Sequence, residues 1–347
     1  MAEEIFEKIN RWIDDKKVFV CYKKPQSDVV ECLIQNNSNT YITGSLSKEG
    51  FVMAPFDNSR YSFIIPLENS STEQYKINKN PVLSQPKDVV EIHKFIKQKY
   101  LKLIQNTVEY IKSGQAQKIV ISRTSIQQIE NHSIANIFDQ LSAHYDNAMV
   151  YLWHHPTIGL WIGATPERLV TYSNQSFATM SLAGTQTFRK NITWLNKEIE
   201  EQAIVTRYIT EKLKPICKSI KQSDTYSKKA GHLAHLCTDI SGELNTGTTI
   251  DDLAEQLHPT PAVCGVPQEV AQKFILKNES HDRSFYTGYL GMITHEQSEL
   301  FVNLRCMQIN DNQATIYVGG GITADSDPEK EWLETVEKSK VLGHFLV

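Results

Sequence analysis

The sequence has no apolar run long enough to cross a bilayer as a helix, no block of basic residues, and no cysteines at Cys-x-x-Cys spacing. The first absence leaves no candidate membrane-spanning helix. The second removes the electrostatic footprint of a nucleic-acid binder, in keeping with a formal net charge of −4. The third argues against structural zinc. Six cysteines, Cys21, Cys32, Cys217, Cys237, Cys264 and Cys306, are scattered through apolar surroundings. They are expected to be buried, reduced thiols rather than disulfides. The opening residues, MAEEIFEKINRW, are acidic and amphipathic, unlike a secretory signal. These absences together point to a cytoplasmic protein with no membrane and no nucleic-acid partner.

The 347 residues suffice for one large domain or two ordinary ones, and 40% apolar with 22% charged residues is a globular composition. Over residues 1–85 a short helix precedes apolar runs, VFVCYKK, VVECLI, GFVMAPF and YSFIIPL, broken by Asn, Ser, Gly and Pro, which read as strands. From about residue 88, helical spacing takes over through Val90, Phe95, Leu101, Ile104, Val108 and Ile111, with Gly114 as the stop. KIVISRTSIQQI, AMVYLWH, GLWIGA, ERLVTYS, SFATMSLAG, HLAHLCTDI, FYTGYLGMIT, LFVNLRCMQI and ATIYVGG read as strands. SIANIFDQLSAHY, a long run NKEIEEQAIVTRYITEKLKPICKSI, DDLAEQL, PQEVAQKFILK and a last segment opening at Asp327-Pro328 read as helices. Strands outnumber helices and come in groups. The expectation is a mixed α/β (α+β) fold in one interlocked domain, with large, mostly antiparallel sheets.

Several charges stand out against this frame. Glu331, Glu334 and Lys338 share one face of the last helix, as do Lys197 and Glu201 of the long one. A solvated face would explain each set. The last helix, however, follows YVGGGITADSDP, read as a glycine-rich turn in which Gly319, Gly320 and Gly321 bring N–H groups toward an anion. Carboxylates beside an anion suit a hard cation such as Mg²⁺. Lys118 opens an apolar strand, either as a surface lysine or as a desolvated general base. Glu167 in GATPERL is either a turn carboxylate or an acid kept protonated by burial. Gly184 and Thr185 end the strand of SLAGT and could hold a carboxylate. Arg305, inside an apolar strand, calls for an anion, whether substrate or structural carboxylate. Tyr286, in a neighbouring strand, could share that anion, and His235 reads as a core histidine or a catalyst. Cys264 in HPTPAVCGVP has no basic neighbour in sequence to activate it, and the prolines make the segment a rigid wall.

In this order, GATPERL, SLAGT, KEIEEQ, HLCT, HPTPAVCGVP, DRSFYTGYLG, NLRC and GGGITADSDPEKEWLETVEK resemble the chorismate-utilising enzymes, a family that includes isochorismate, salicylate, anthranilate and aminodeoxychorismate synthases. The resemblance runs from about residue 85 to the end, with 1–85 as a short variable part of the same fold and 86–347 as the chorismate-binding region. It implies two large sheets flanked by helices with the site between them. It also implies Lys118 as the base activating water and Glu167 as the acid. Glu201 and Glu334 become magnesium ligands supported by Glu331, with Lys338 beside them. Gly184 and Thr185 grip the ring carboxylate, Tyr286 and Arg305 the enolpyruvyl carboxylate, and His235 lies beside the ring. The register among Glu198, Glu200 and Glu201 stays open, and QTFRKN replaces the Arg-Pro-Arg-Gly often found after AGT. Ala262 stands where the amine-using members carry a threonine, which favours water over ammonia. The implied reaction is chorismate to isochorismate without a glutaminase subunit, with salicylate plus pyruvate as the alternative and a non-catalytic chorismate-binding module as a further one; the chain is expected to be a monomer. The product could feed menaquinone or a siderophore.

Overall fold

The structure, a computed structural model, describes residues 2–77, 94–129, 133–189, 192–230 and 233–346. Among these residues the chain forms two antiparallel sheets, of nine and ten strands, and seven α-helices. The helices are α1 (Ala2–Asp14), α2 (Lys94–Lys112), α3 (Ile134–His144), α4 (Asn196–Leu213), α5 (Ile250–Leu257), α6 (Gln268–Asn278) and α7 (Pro328–Gly343). None is long and apolar enough to cross a membrane.

The first sheet runs, edge to edge, through Gly265–Val266, Lys118–Gln128, Gln313–Ile322, Cys306–Asn310, Gly159–Thr165, Met149–His155, Phe19–Lys23, Val29–Gln35 and Ser70–Lys76. The second runs through Cys217–Gln222, Leu233–Leu244, Ser176–Thr187, Arg168–Ser173, Ser298–Val302, Tyr289–Ile293, Gly50–Ala54, Ser62–Pro66 and Ile42–Thr43, with Tyr226–Ala230 paired beside Leu233–Leu244. Strands from residues 1–85 therefore enter both sheets.

Alternation of side chains along each strand explains the layering. Val20 and Tyr22 face Phe51, Met53, Trp153, Trp161, Leu290 and Phe301 in the core between the sheets. Their neighbours Phe19 and Cys21 face the other way, onto Ile5, Ile9 and Trp12 of α1 and Phe138 and Leu141 of α3. Val205, Ile209 and Leu213 of α4 cover the outer face of the second sheet together with α5. Both faces of the central strands are buried, which is why they read as continuous apolar runs.

Four expectations are corrected. The long middle helix stops at Leu213, because Pro215 falls in a 3₁₀ turn over Lys214–Ile216, and residues Cys217–Gln222 turn back as a strand. LFVNLRCMQI is two strands belonging to different sheets, Ser298–Val302 and Cys306–Asn310. The glycines 319–321 are strand residues paired with Ser122, Ile121 and Val120, not a turn. Cys21 and Cys32 lie directly opposite each other on paired strands and form a disulfide, while Cys217, Cys237, Cys264 and Cys306 are free. Strand register, invisible in the spacing, brings that pair together. Val90 and the start of the helical spacing near residue 88 lie outside the described residues.

The start of α7 agrees with expectation: the Asp327 carboxylate accepts from the backbone N–H of Lys330 at 2.9 Å, with Pro328 in the first turn. Asp327→Ala is expected to lower the unfolding free energy by about 1 kcal/mol in urea titration, with an unchanged m-value.

Candidate active site

The chain passes from one sheet to the other at two adjacent places. Gly159–Thr165 leaves the first sheet, Pro166 and Glu167 cross, and Arg168–Ser173 joins the second. Ser298–Val302 leaves the second, Asn303–Arg305 cross, and Cys306–Asn310 joins the first. The crossings are tied together: Ala164 N–H donates to Arg305 O at 3.0 Å, Val302 N–H to Glu167 O at 3.0 Å, and the Thr165 hydroxyl to Val302 O at 2.6 Å. Arg305 therefore sits in the break and not inside a strand, with a left-handed φ of 47°. Tyr286 likewise lies in the turn before Tyr289–Ile293.

These crossings open one cavity between the sheets. Its lining includes Lys118, Glu167, Gly184, Glu201, His235, Ala262, Tyr286, Arg305, Gly319, Gly320, Gly321, Glu334 and Lys338. Glu331 is buried just behind Gly320 and accepts from the Ser326 hydroxyl at 2.7 Å. The side chains of Thr185 and Lys197 lie outside the description.

The glycine strand shapes the floor. A Cβ on Gly321 would stand 2.7 Å from both Glu201 Oε1 and Lys118 Cε. One on Gly320 would meet Glu331 Oε2 at 3.2 Å, and one on Gly319 the Tyr286 hydroxyl at 3.0 Å. The three glycines thus matter for the side chains they omit rather than for N–H groups turned to an anion. Lys118, 1% exposed, pairs with Glu201 Oε1 at 2.7 Å. Lys338 pairs with Glu334 Oε1 at 2.7 Å and donates to Gly319 O at 2.9 Å.

Within KEIEEQ, Glu198 and Glu201 both line the cavity. Glu198 turns back to cap its own helix, accepting from Leu195 N–H at 3.0 Å, and Glu200 is exposed. Glu201 points at Lys118. Its neighbour Gln202, which sequence reasoning passed over, anchors α4 to the second sheet: its amide nitrogen lies 3.0 Å from the Ser181 hydroxyl and 2.8 Å from that of Thr238.

At the other side, burial raises the Glu167 carboxyl to about 7, although Lys118, Lys228 and Arg305 pull it down. His235 is pushed down to about 3, first by burial and then by Arg305. It is therefore neutral. Arg305 Nη2 can only donate, so at 3.1 Å His235 Nε2 accepts, and Nδ1–H donates to Gly184 O at 2.9 Å. Tyr286 stacks on Tyr317, which stacks on Trp161, at centroid separations of 5.4 Å each. Asn303, another residue passed over, strings the two sides together: its amide donates to Phe285 O at 2.9 Å and its side-chain oxygen accepts from the Tyr151 hydroxyl at 2.7 Å. Cys264 is fully buried with its thiol pushed up to about 12 by burial, so it packs the wall and does not attack.

The residue set matches a known family. A model described as chorismate binding enzyme matches residues 57–347. The chain belongs to the chorismate-binding enzymes. It is 31% identical over 252 residues to the isochorismate synthase DhbC of Bacillus subtilis (strain 168), covering 67% of this chain and 63% of that protein. It is 29% identical over 242 residues to the isochorismate synthase MenF of Haemophilus influenzae, covering 66% and 56%. The chain thus spans less than two thirds of the length of these curated relatives. In fold, this chorismate-binding enzyme is similar to a putative 2,3-dihydroxybenzoate-specific isochorismate synthase, DhbC, of Bacillus anthracis, with a TM-score of 0.80, 24% identity and 99% of each chain covered. It is also similar to anthranilate synthase component I of Streptococcus pneumoniae TIGR4, with a TM-score of 0.70, 16% identity, and 94% of this chain and 90% of that one covered. Proteins named for different activities therefore share the architecture, and function rests on the residues of the site.

The acidic end fits a magnesium ion only in part. Among the described residues no three His, Cys, Asp or Glu side chains stand close enough to hold a metal by themselves. Mg²⁺ commonly takes one or two protein carboxylates and completes its shell with water and substrate oxygens. Glu201, Glu331 and Glu334 gathered against side-chain-free backbone suit that mode.

Two outcomes are expected. Gly321→Ala should abolish activity while leaving the thermal midpoint close to wild type, since its methyl group would displace Lys118 and Glu201. For Glu167, the raised carboxyl contributes stability that is complete below pH about 4.5 and lost as pH rises through about 7. Glu167→Gln should flatten that part of the stability–pH curve, worth on the order of 3 kcal/mol, in denaturant titrations across the range.

Proposed function

We propose that the protein is an isochorismate synthase that interconverts chorismate and isochorismate and requires Mg²⁺ but no glutaminase subunit. The observation that carries this is that Lys118 and Glu167 line the same cavity as Glu201, Glu334, Tyr286 and Arg305. A ring bearing two carboxylates would meet the guanidinium of Arg305 with one and a cation held by the glutamates with the other. The relatives named isochorismate synthase support the same reading.

In this reading Arg305 and Tyr286 hold the enolpyruvyl carboxylate. Neutral His235 orients Arg305 without adding a competing charge. Glu201 and Glu334, with Glu331 behind them, would hold Mg²⁺, which supplies Lewis-acid stabilisation of charge on the ring carboxylate. Lys118, in contact with Glu201 Oε1 at 2.7 Å, is the base of this reading. Lys118 then takes a proton from water, the water oxygen bonds to C2, and the ring double bonds shift. The C4–O bond breaks as Glu167 protonates the leaving hydroxyl. Ala262 on the wall offers no hydroxyl to hold ammonia, and the buried Cys264 thiol offers no competing nucleophile.

Incubation with chorismate and Mg²⁺ is expected to give isochorismate alone by chromatography, and chelation should stop it. Salicylate with pyruvate would reassign the reaction, and product formed only with ammonium would remove water as nucleophile. Lys118→Ala should lose at least about 10²-fold in turnover yet still bind chorismate by calorimetry. For the forward direction kcat/KM should fall above pH about 7 as Glu167 loses its proton. A flat profile to higher pH would take Glu167 out of the acid role.

A further inference from the structure

Arg283 lies just outside the cavity, with its side chain 2% exposed. All five of its N–H donors are used. Nε donates to Glu279 Oε2 at 2.8 Å, and Nη2 donates to Glu279 Oε1 at 2.6 Å and to Val120 O at 2.7 Å. Nη1 donates to Val263 O at 3.0 Å and to Thr287 Oγ1 at 3.2 Å. Glu279, equally buried, is held by Ser122, whose N–H and hydroxyl donate to Oε1 at 2.7 and 2.9 Å. Phe56 closes one face of the guanidinium at 4.5 Å.

The destinations of these bonds are specific. Val120 is two residues beyond Lys118 on the same strand. Val263 adjoins Ala262 on the proline wall. Thr287 adjoins Tyr286, and its φ of 61° is a conformation that a β-branched residue keeps only when its surroundings impose it. One planar fork thus joins three segments distant in sequence, and each carries a residue of the site. Net stability does not explain the arrangement, because a buried ion pair commonly contributes no more than apolar packing of the same volume. Nor is the cluster a second catalytic centre. His281 Nε2 stands 3.0 Å from Ser122 Oγ, but that hydroxyl is 1% exposed and also donates to Glu279, so it has no path to a substrate.

We propose that Arg283, oriented by Glu279, is a positioning residue that sets the spacing of Lys118, Ala262 and Tyr286 around the ring. This rests on the reading of the cavity as the isochorismate synthase site. The test compares Arg283→Ala and Arg283→Lys with wild type in the full chain. Lysine keeps the charge opposite Glu279 but cannot deliver the fork to both carbonyls. Arg283→Lys is expected to recover most of the thermal stability lost in Arg283→Ala. It should still show a kcat lowered about 10–100-fold with KM within a few-fold of wild type. Hydrogen exchange should quicken in residues 118–122, 260–266 and 284–288 and stay unchanged in α3. Recovery of kcat in step with stability would overturn the proposal, leaving Arg283 a merely structural group. If Arg283→Lys does not fold, Ser122→Ala, which removes one bond to Glu279, decides: a lowered kcat with unchanged thermal stability supports the proposal, and an unchanged kcat overturns it. The exchange pattern reads the clamp without turnover. If wild type does not act on chorismate while Arg283→Lys still loses local protection, the activity fails and the clamp stands.

Discussion

The site depends on two chain crossings that run side by side between the sheets. Two stacked sheets normally bury an apolar layer, and the layer here is apolar through Phe51, Trp153, Trp161 and Phe301. At Pro166–Glu167 and Asn303–Arg305 the backbone itself must pass through that layer. Its polar groups need partners there, and each crossing supplies them for the other through Ala164, Thr165, Glu167, Val302 and Arg305. The sheets cannot close over these segments. What remains is a water-poor gap with a carboxyl group on one crossing and a guanidinium on the other.

Charges in such a gap survive only in particular company. Lys118 has Glu201, Lys338 has Glu334, and Arg305 has the neutral imidazole of His235. Among the described residues Glu167 has no comparable partner at hydrogen-bond distance, and burial favours its protonated form. The result is a set of unlike groups in one gap: a lysine–glutamate pair, an imidazole held uncharged and a carboxylic acid. General acid–base chemistry needs such separation of roles, and desolvation produces it from ordinary side chains.

The glycine strand supplies the third element. Continuous pairing of Gln313–Ile322 with Lys118–Gln128 keeps the floor rigid, while the absence of side chains at 319–321 lets Glu201, Glu331, Tyr286 and Lys118 approach the backbone. A flexible glycine turn could not hold two carboxylates and two lysines in fixed relation. Behind this floor the Arg283–Glu279 pair ties the strand of Lys118 to the proline wall and the Tyr286 turn, so the rigidity extends around the cavity.

Most of the strands, the start of α7 at Asp327, and the meeting of Lys118, Glu167, Glu201, Glu334 and Arg305 at one cavity were legible in the chain itself. Apolar alternation, helical spacing and capping residues are local signals, and the ordered motifs carry the chemistry of their side chains. What could not be read is whatever depends on partners distant in sequence. The break that puts Arg305 between sheets, the pairing of Cys21 with Cys32, the strand state of the three glycines, and the anchoring roles of Gln202, Asn303 and Arg283 are all set by which strands lie side by side. Local sequence determines which residues prefer a strand and which carry charge. Only the packed sheets decide which of those charges lose water together, because desolvation is a property of the assembled gap and not of any one segment.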